Sequence, residues 1–186
     1  VKQLTAHWVL PTGVTVWAGE QEQKWPKGDA QAALPSDVPF FLRAQDVAVG
    51  VRFVWARNVK DQAAQFVLSQ DGEKFGAGRL TCVLADGKPA GRASVACFVR
   101  AAEGLNDQAF AEFRKTFAAA KTDAARDGQV LTVRAAGSKG PMSLKVDLGK
   151  QTCLATEGGE PGVEGSLLWI NGRDIGREIM GSFLKP

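Results

Sequence analysis

Few residues in this chain are equipped for chemistry. His7 is its sole histidine, so the sequence cannot build a multi-histidine metal site, and no Cys/His cluster stands beside it. His7 has the chemistry of a general base, but a lone histidine near a terminus is more often a packed or solvated residue. Tyr is absent, so proton transfer by a Tyr-dependent lyase mechanism lacks its residue. The 20 acidic residues are enough to supply a facing carboxyl pair for glycoside hydrolysis. Several of them, Asp71, Asp86, Asp127 and Asp174, stand beside Gly or in turn-like contexts, where Asp is a turn former. Asp71 and Glu73 are close enough in sequence to share a calcium ion. Calcium needs a larger set of oxygens, and no EF-hand loop is present, so no cofactor is expected. No nucleophile elbow, Walker loop or dinucleotide fingerprint occurs. Residues 76–78, Gly-Ala-Gly, read as a turn because no Lys-Ser or Lys-Thr pair follows at phosphate-loop spacing.

The cysteines are Cys82, Cys97 and Cys153, with no Cys-x-x-Cys pair. Redox motifs and zinc ribbons are therefore unsupported. Cys82 and Cys97 flank the turn-rich run 86–91, Asp-Gly-Lys-Pro-Ala-Gly. In a symmetric hairpin they face each other, which leaves two readings: a cross-strand disulfide, or small buried hydrophobes. The second is the more frequent use of cysteine.

Trp25 stands in a polar run, Gln21 to Lys27. There an indole is either a lid over a core edge or an exposed platform that stacks on the apolar face of a sugar ring. Trp17, Trp55 and Trp169 lie in strand-like runs and read as core. Trp8, before Val9 and Leu10, fits either role.

These residues must be positioned by a mainly β fold. The clearest strand is 47–57, where Val47, Val49, Val51, Phe53 and Trp55 share one apolar face; Ala48, Gly50, Arg52 and Val54 share the other, half-polar one. Further strands are expected at 13–18, 40–44, 65–69, 129–135, 143–148, 153–156 and 166–170. Residues 78–85 and 92–100 read as a hairpin, and Asn171-Gly172 as a hairpin turn. Residues 21–37 read as a loop, and the tail pairs through Ile175 and Ile179 or frays. One amphipathic helix is predicted at 107–126: Phe110, Phe113, Phe117, Ala120 and Ala124 recur at helical steps. Asn106 supplies its N-cap, Lys121 and Arg126 suit its C-terminal dipole, and Gly128 stops it. Some ten short strands with turn signals imply one antiparallel β-sandwich, jelly-roll-like, spanning residues 1–186 as a single domain.

The net charge of +3 is dispersed, with no basic block, which argues against a nucleic-acid partner. No apolar run approaches the ~18 residues of a membrane-spanning helix. The chain begins at Val1, as a mature or excised piece of a longer protein would.

Residues 40–56, with Arg43 and the run Asp46-Val-Ala-Val-Gly-Val-Arg52, resemble strand pairs in the β-sandwich regions of heparinase-like and related polysaccharide-lyase proteins of environmental bacteria. Residues 78–85 and the closing run Trp169-Ile-Asn-Gly-Arg-Asp-Ile-Gly176 share the likeness. The catalytic Tyr and His of those families have no counterpart positions here. The resemblance therefore implies a non-catalytic sandwich of a secreted or periplasmic protein. Its partner would be a polysaccharide or oligosaccharide, with Trp25 and Arg52 as ligand-binding residues. Two other readings stand beside it: a structural or assembly domain whose partner is another protein chain, and a small polysaccharide-acting hydrolase or lyase.

Overall fold

A computed structural model of the chain describes residues 3–10, 13–58, 64–70, 78–86, 92–136, 140–158, 165–173 and 179–180. In chain order these form β1 (Gln3–Leu10), β2 (Thr15–Ala18), β3 (Gln21–Gln23), β4 (Gln31–Leu34), β5 (Phe40–Ala44), β6 (Val47–Asn58), β7 (Gln65–Ser69), β8 (Gly78–Asp86) and β9 (Arg92–Ala102). There follow α1 (Asp107–Ala119), β10 (Thr122–Asp127), β11 (Val130–Ala136), β12 (Pro141–Asp147), β13 (Thr152–Glu157), β14 (Ser166–Arg173) and β15 (Ile179–Met180).

The strands make three sheets: β15-β1-β8-β7-β4, β14-β9-β6-β5-β2-β3 and β10-β11-β12-β13. Pairing is antiparallel except for β1 with β15. The six-stranded sheet is the middle layer, buried on both faces. Alternation along its strands sends side chains to opposite sides. Val16, Ala18 and Phe40 go one way, to meet Leu34, Phe66, Leu68, Leu80 and Cys82 of the five-stranded sheet. Trp17, Phe41 and Phe98 go the other way, onto Phe110, Phe113 and Phe117 of α1. On that same side Ala96 and Trp169 meet Leu131, Val133, Leu144 and Val146 of the four-stranded sheet. The chain is thus a mainly β sandwich carrying one helix among the described residues.

The helix begins as its sequence dictates. The Asn106 carboxamide oxygen accepts the Ala109 N–H at 2.9 Å. Its Phe stripe packs so closely that a Cβ on Gly50 would lie 3.0 Å from the Phe117 ring. Phe41 meets Phe117 edge-on at 5.5 Å and Phe98 stacks on it at 5.1 Å, the two arrangements that aromatic quadrupoles favour.

The helix ends earlier than its periodicity predicts. It stops at Ala119, and residues 122–127 form β10, which turns at Gly128-Gln129 into β11. Lys121 and Arg126 are therefore not helical, and Gly128 serves a hairpin rather than a helix stop. The reason is tertiary. The positive charge at the helix C-terminus comes from Arg52, which donates to the carbonyls of Ala118 (2.7 Å) and Ala120 (2.8 Å). Ala120 and Ala124 suit a helical stripe as well as an alternating strand, so periodicity could not mark the boundary.

Four other expectations need correction. β8 and β9 are not a hairpin: β8 pairs with β1 and β7, and β9 with β6 and β14. Each strand has one apolar face, which two stacked sheets satisfy as well as one paired edge does. Residues 21–37 hold the short strands β3 and β4, masked in the sequence because polar residues fill exposed edge positions. β14 runs straight through Asn171-Gly172 and pairs them with Ser94 and Ala93. The apolar face of β6 breaks at a bulge between Phe53 and Trp55. The extra residue rotates Trp55 toward Ala96 and the four-stranded sheet, while Val47 at the other end is exposed. Of the tail, Ile179 pairs with Ala6. Asp71, Glu73, the 87–91 run, residues 76–77 and Ile175 lie outside the described residues.

Candidate functional site

β6 is 12 residues long and its neighbour β5 only five. β5 pairs with Val47 to Val51 and no further. From Arg52 onward, the β5-side edge of β6 has lost that partner strand. One backbone group on it is satisfied by the chain's own return, where the Ala64 N–H donates to the Ala56 carbonyl at 3.0 Å. Along this edge lies a cleft of about 510 Å³. Its floor is β6 from Arg52 to Arg57, one wall is the turn at Ser36, Asp37 and Val38, and the other is the start of β10, Thr122 to Ala124.

The lining mixes chemistries. Phe53, Trp55 and Phe66 give apolar surface, and Ser36, Asp37, Arg52, Arg57, Thr122 and Asp123 give donors and acceptors. The Arg57 guanidinium stands over the Trp55 indole, 5.2 Å from the ring centroid, in the cation–π arrangement. The Trp55 Nε1–H is buried with no acceptor among the described residues. Asp123 is tied to Arg134 by a 3.0 Å ion pair across the β10–β11 hairpin. Arg52 lines the cleft while two of its five N–H groups hold the helix C-terminus. Partial burial lowers its pKa from the ordinary arginine value and leaves it charged throughout the physiological range.

The two residues singled out from sequence are thus separated in role. Arg52 lies at the cleft. Trp25 does not line it and is a lid rather than an exposed platform. Its Nε1 donates to the Val14 carbonyl at 3.1 Å. Its ring packs so closely on Gly78 that a Cβ there would lie 2.0 Å from it. The indole closes one edge of the core between the five- and six-stranded sheets. Its polar sequence neighbours gave no sign of Val14 or Gly78, both distant along the chain.

Trp55, Arg57, Asp37 and Asp123 were not singled out by sequence reasoning, because the cleft is assembled from four separate segments. One signal was present: an apolar-alternating run of eleven or twelve residues beside a five-residue strand leaves an overhang. His7 lies in β1, in register with Thr81 and Met180. Among the described residues, no group of three His, Cys, Asp or Glu is placed to hold a metal. No described helix is long and apolar enough to cross a membrane.

Compared with known proteins, the chain matches no family model, no curated protein and no solved structure.

Proposed function

We propose that this chain is a non-catalytic β-sandwich module that holds an oligosaccharide in the cleft along β6, as part of a secreted or periplasmic bacterial carbohydrate-active protein. The observation that carries this reading is the lining. An arginine-backed indole lies beside paired hydroxyl, carboxylate and guanidinium groups in an open groove. A sugar offers one apolar ring face and a rim of hydroxyls, and a groove with this mixture meets both. The stretch that resembles heparinase-like sandwich regions, residues 40–56, is the β5–β6 hairpin, whose second strand forms the cleft floor. Arg52 and Arg57 favour acidic sugars over neutral ones.

A glycan array, followed by titration of any hit through intrinsic Trp fluorescence, tests the reading. Arg57→Ala is expected to weaken binding at least tenfold, and Trp25→Ala to leave the affinity of folded protein within about twofold. A flat array, or loss of affinity in Trp25→Ala alone, would refute the assignment to this cleft.

A second reading has its own observation. The β6 overhang is an open strand edge, and Leu154 on the edge strand β13 is 54% exposed. Open edges accept strands from other chains, as an assembly domain would require. Light scattering separates the two: a monomer across the micromolar range speaks against assembly through these edges.

A further inference from the structure

Cys82 and Cys97 sit in different sheets, yet each is in register with one partner of the same inter-sheet contact. Cys82 is the cross-strand partner of Phe66 in the five-stranded sheet. Cys97 is the partner of Phe53 in the six-stranded sheet. Phe53 and Phe66 meet across the gap between those sheets, their ring centroids 4.4 Å apart. Each cysteine therefore lies one strand over from the same inter-sheet contact. Both are fully buried free thiols, and Cys97 follows Val95 on the face turned to this core. Cys153, on β13, is exposed and belongs to another sheet.

We infer that Cys82 and Cys97 are the two halves of an inter-sheet disulfide that forms when the chain folds in an oxidising environment. Such a bond staples the two layers through a loop of about 15 residues, joining β8 to β9. The oxidant is a small-molecule or protein disulfide. One cysteine thiolate attacks it, forming a mixed disulfide and releasing one thiolate. The second cysteine then displaces the remaining half. Two thiols become one S–S bond, the oxidant becomes two thiols, and the two cysteine protons end on them.

Timing follows from burial. Desolvation pushes the Cys97 thiol up to about 12 and the Cys82 thiol higher still, the latter also through the nearby Cys97. The folded core therefore holds both as unreactive thiols, and oxidation belongs to the folding step, before the sheets close. That restricts the bond to compartments where disulfides form.

The test uses the full chain carrying Cys153→Ser, which removes the exposed thiol and any mispairing. The protein is unfolded, refolded in a mixture of oxidised and reduced glutathione, and digested without reduction. Expected are a peptide pair joining Cys82 to Cys97 and a thermal midpoint raised by roughly 6–12 °C over the reduced form. If protein that has regained its β-sheet spectrum instead yields both cysteines alkylated after denaturation, the inference is overturned. Should refolding fail, the same peptide map of protein secreted into an oxidising compartment decides it by the same criterion.

Discussion

On one face of the six-stranded sheet, Val16, Phe40 and Val95 close against Leu68, Leu80 and the Cys82 thiol in a layer of apolar side chains. On the opposite face arginines enter the packing. Arg43 and Arg114 approach the Phe110 ring at 4.7 and 5.1 Å, and Arg114 also stacks 4.1 Å from the Trp17 centroid. Arg43 reaches Asp107 and the Leu105 carbonyl at the start of α1, and Arg52 holds the carbonyls at its end. Nine positions apart on one hairpin, these two arginines pin both ends of the helix. The first face behaves as an ordinary sandwich interior, which alternation alone specifies. The second packs unlike elements, a helix and a small sheet, and guanidinium groups tie the helix to the six-stranded sheet. The cleft opens where that second packing reaches the overhang of β6.

The largest expected effect is on the helix side. Phe117 touches Phe41, Phe98 and Phe113 and is almost fully buried. Phe117→Ala is expected to cost about 3–5 kcal/mol, read as the shift of a urea unfolding curve. A cost below about 1 kcal/mol would mean that the helix is dispensable to the second face.

Arg52→Ala comes next. It strands the Ala118 and Ala120 carbonyls at the helix end, at an expected cost of about 1–3 kcal/mol. Arg52→Lys should recover only part, since an ammonium lacks the planar fork that reaches both oxygens. Hydrogen exchange should show the loss concentrated in the last turn of α1. Uniform loss across the three sheets would contradict the capping role.

The third effect belongs to the first face, is absent at neutral pH and appears only in alkaline solution. In the reduced protein the folded thiols stay protonated up to about 12 for Cys97, while the unfolded chain releases its protons near the ordinary value of 9. Above that pH the unfolded state binds fewer protons than the folded state, so stability falls as pH rises. The slope is about 1.4 kcal/mol per pH unit for each thiol. Oxidation of the pair, or its replacement by alanine, should abolish that slope. Its persistence in the double alanine variant would assign it elsewhere.

Much of both faces was legible in the residues. The alternating runs that became β5, β6, β7, β11 and β12, and the Asn106 start of α1, follow from local side-chain chemistry. What escaped the sequence was set by distant partners. The end of α1 depends on Arg52, 66 positions upstream of Ala118. The role of Trp25 depends on Val14 and Gly78. The separation of β8 from β9 depends on strands that take up the edges each would have offered the other. The rotation of Trp55 hangs on a single bulged residue. For the site, Arg52 was singled out and does reach the cleft, while Trp25 was singled out for its polar surroundings and lies elsewhere. A cleft built from residues 36–38, 52–57, 64, 66 and 122–124 has no signature in any one of those segments.

The central claim is that ligand sits along the open edge of β6. Hydrogen–deuterium exchange with and without the best oligosaccharide from the array tests it most directly. The expected result is added protection at residues 52–57 and 122–124, with residues 24–28 unchanged. Protection confined to residues around Trp25, or none at the β6 edge under saturating ligand, would contradict it.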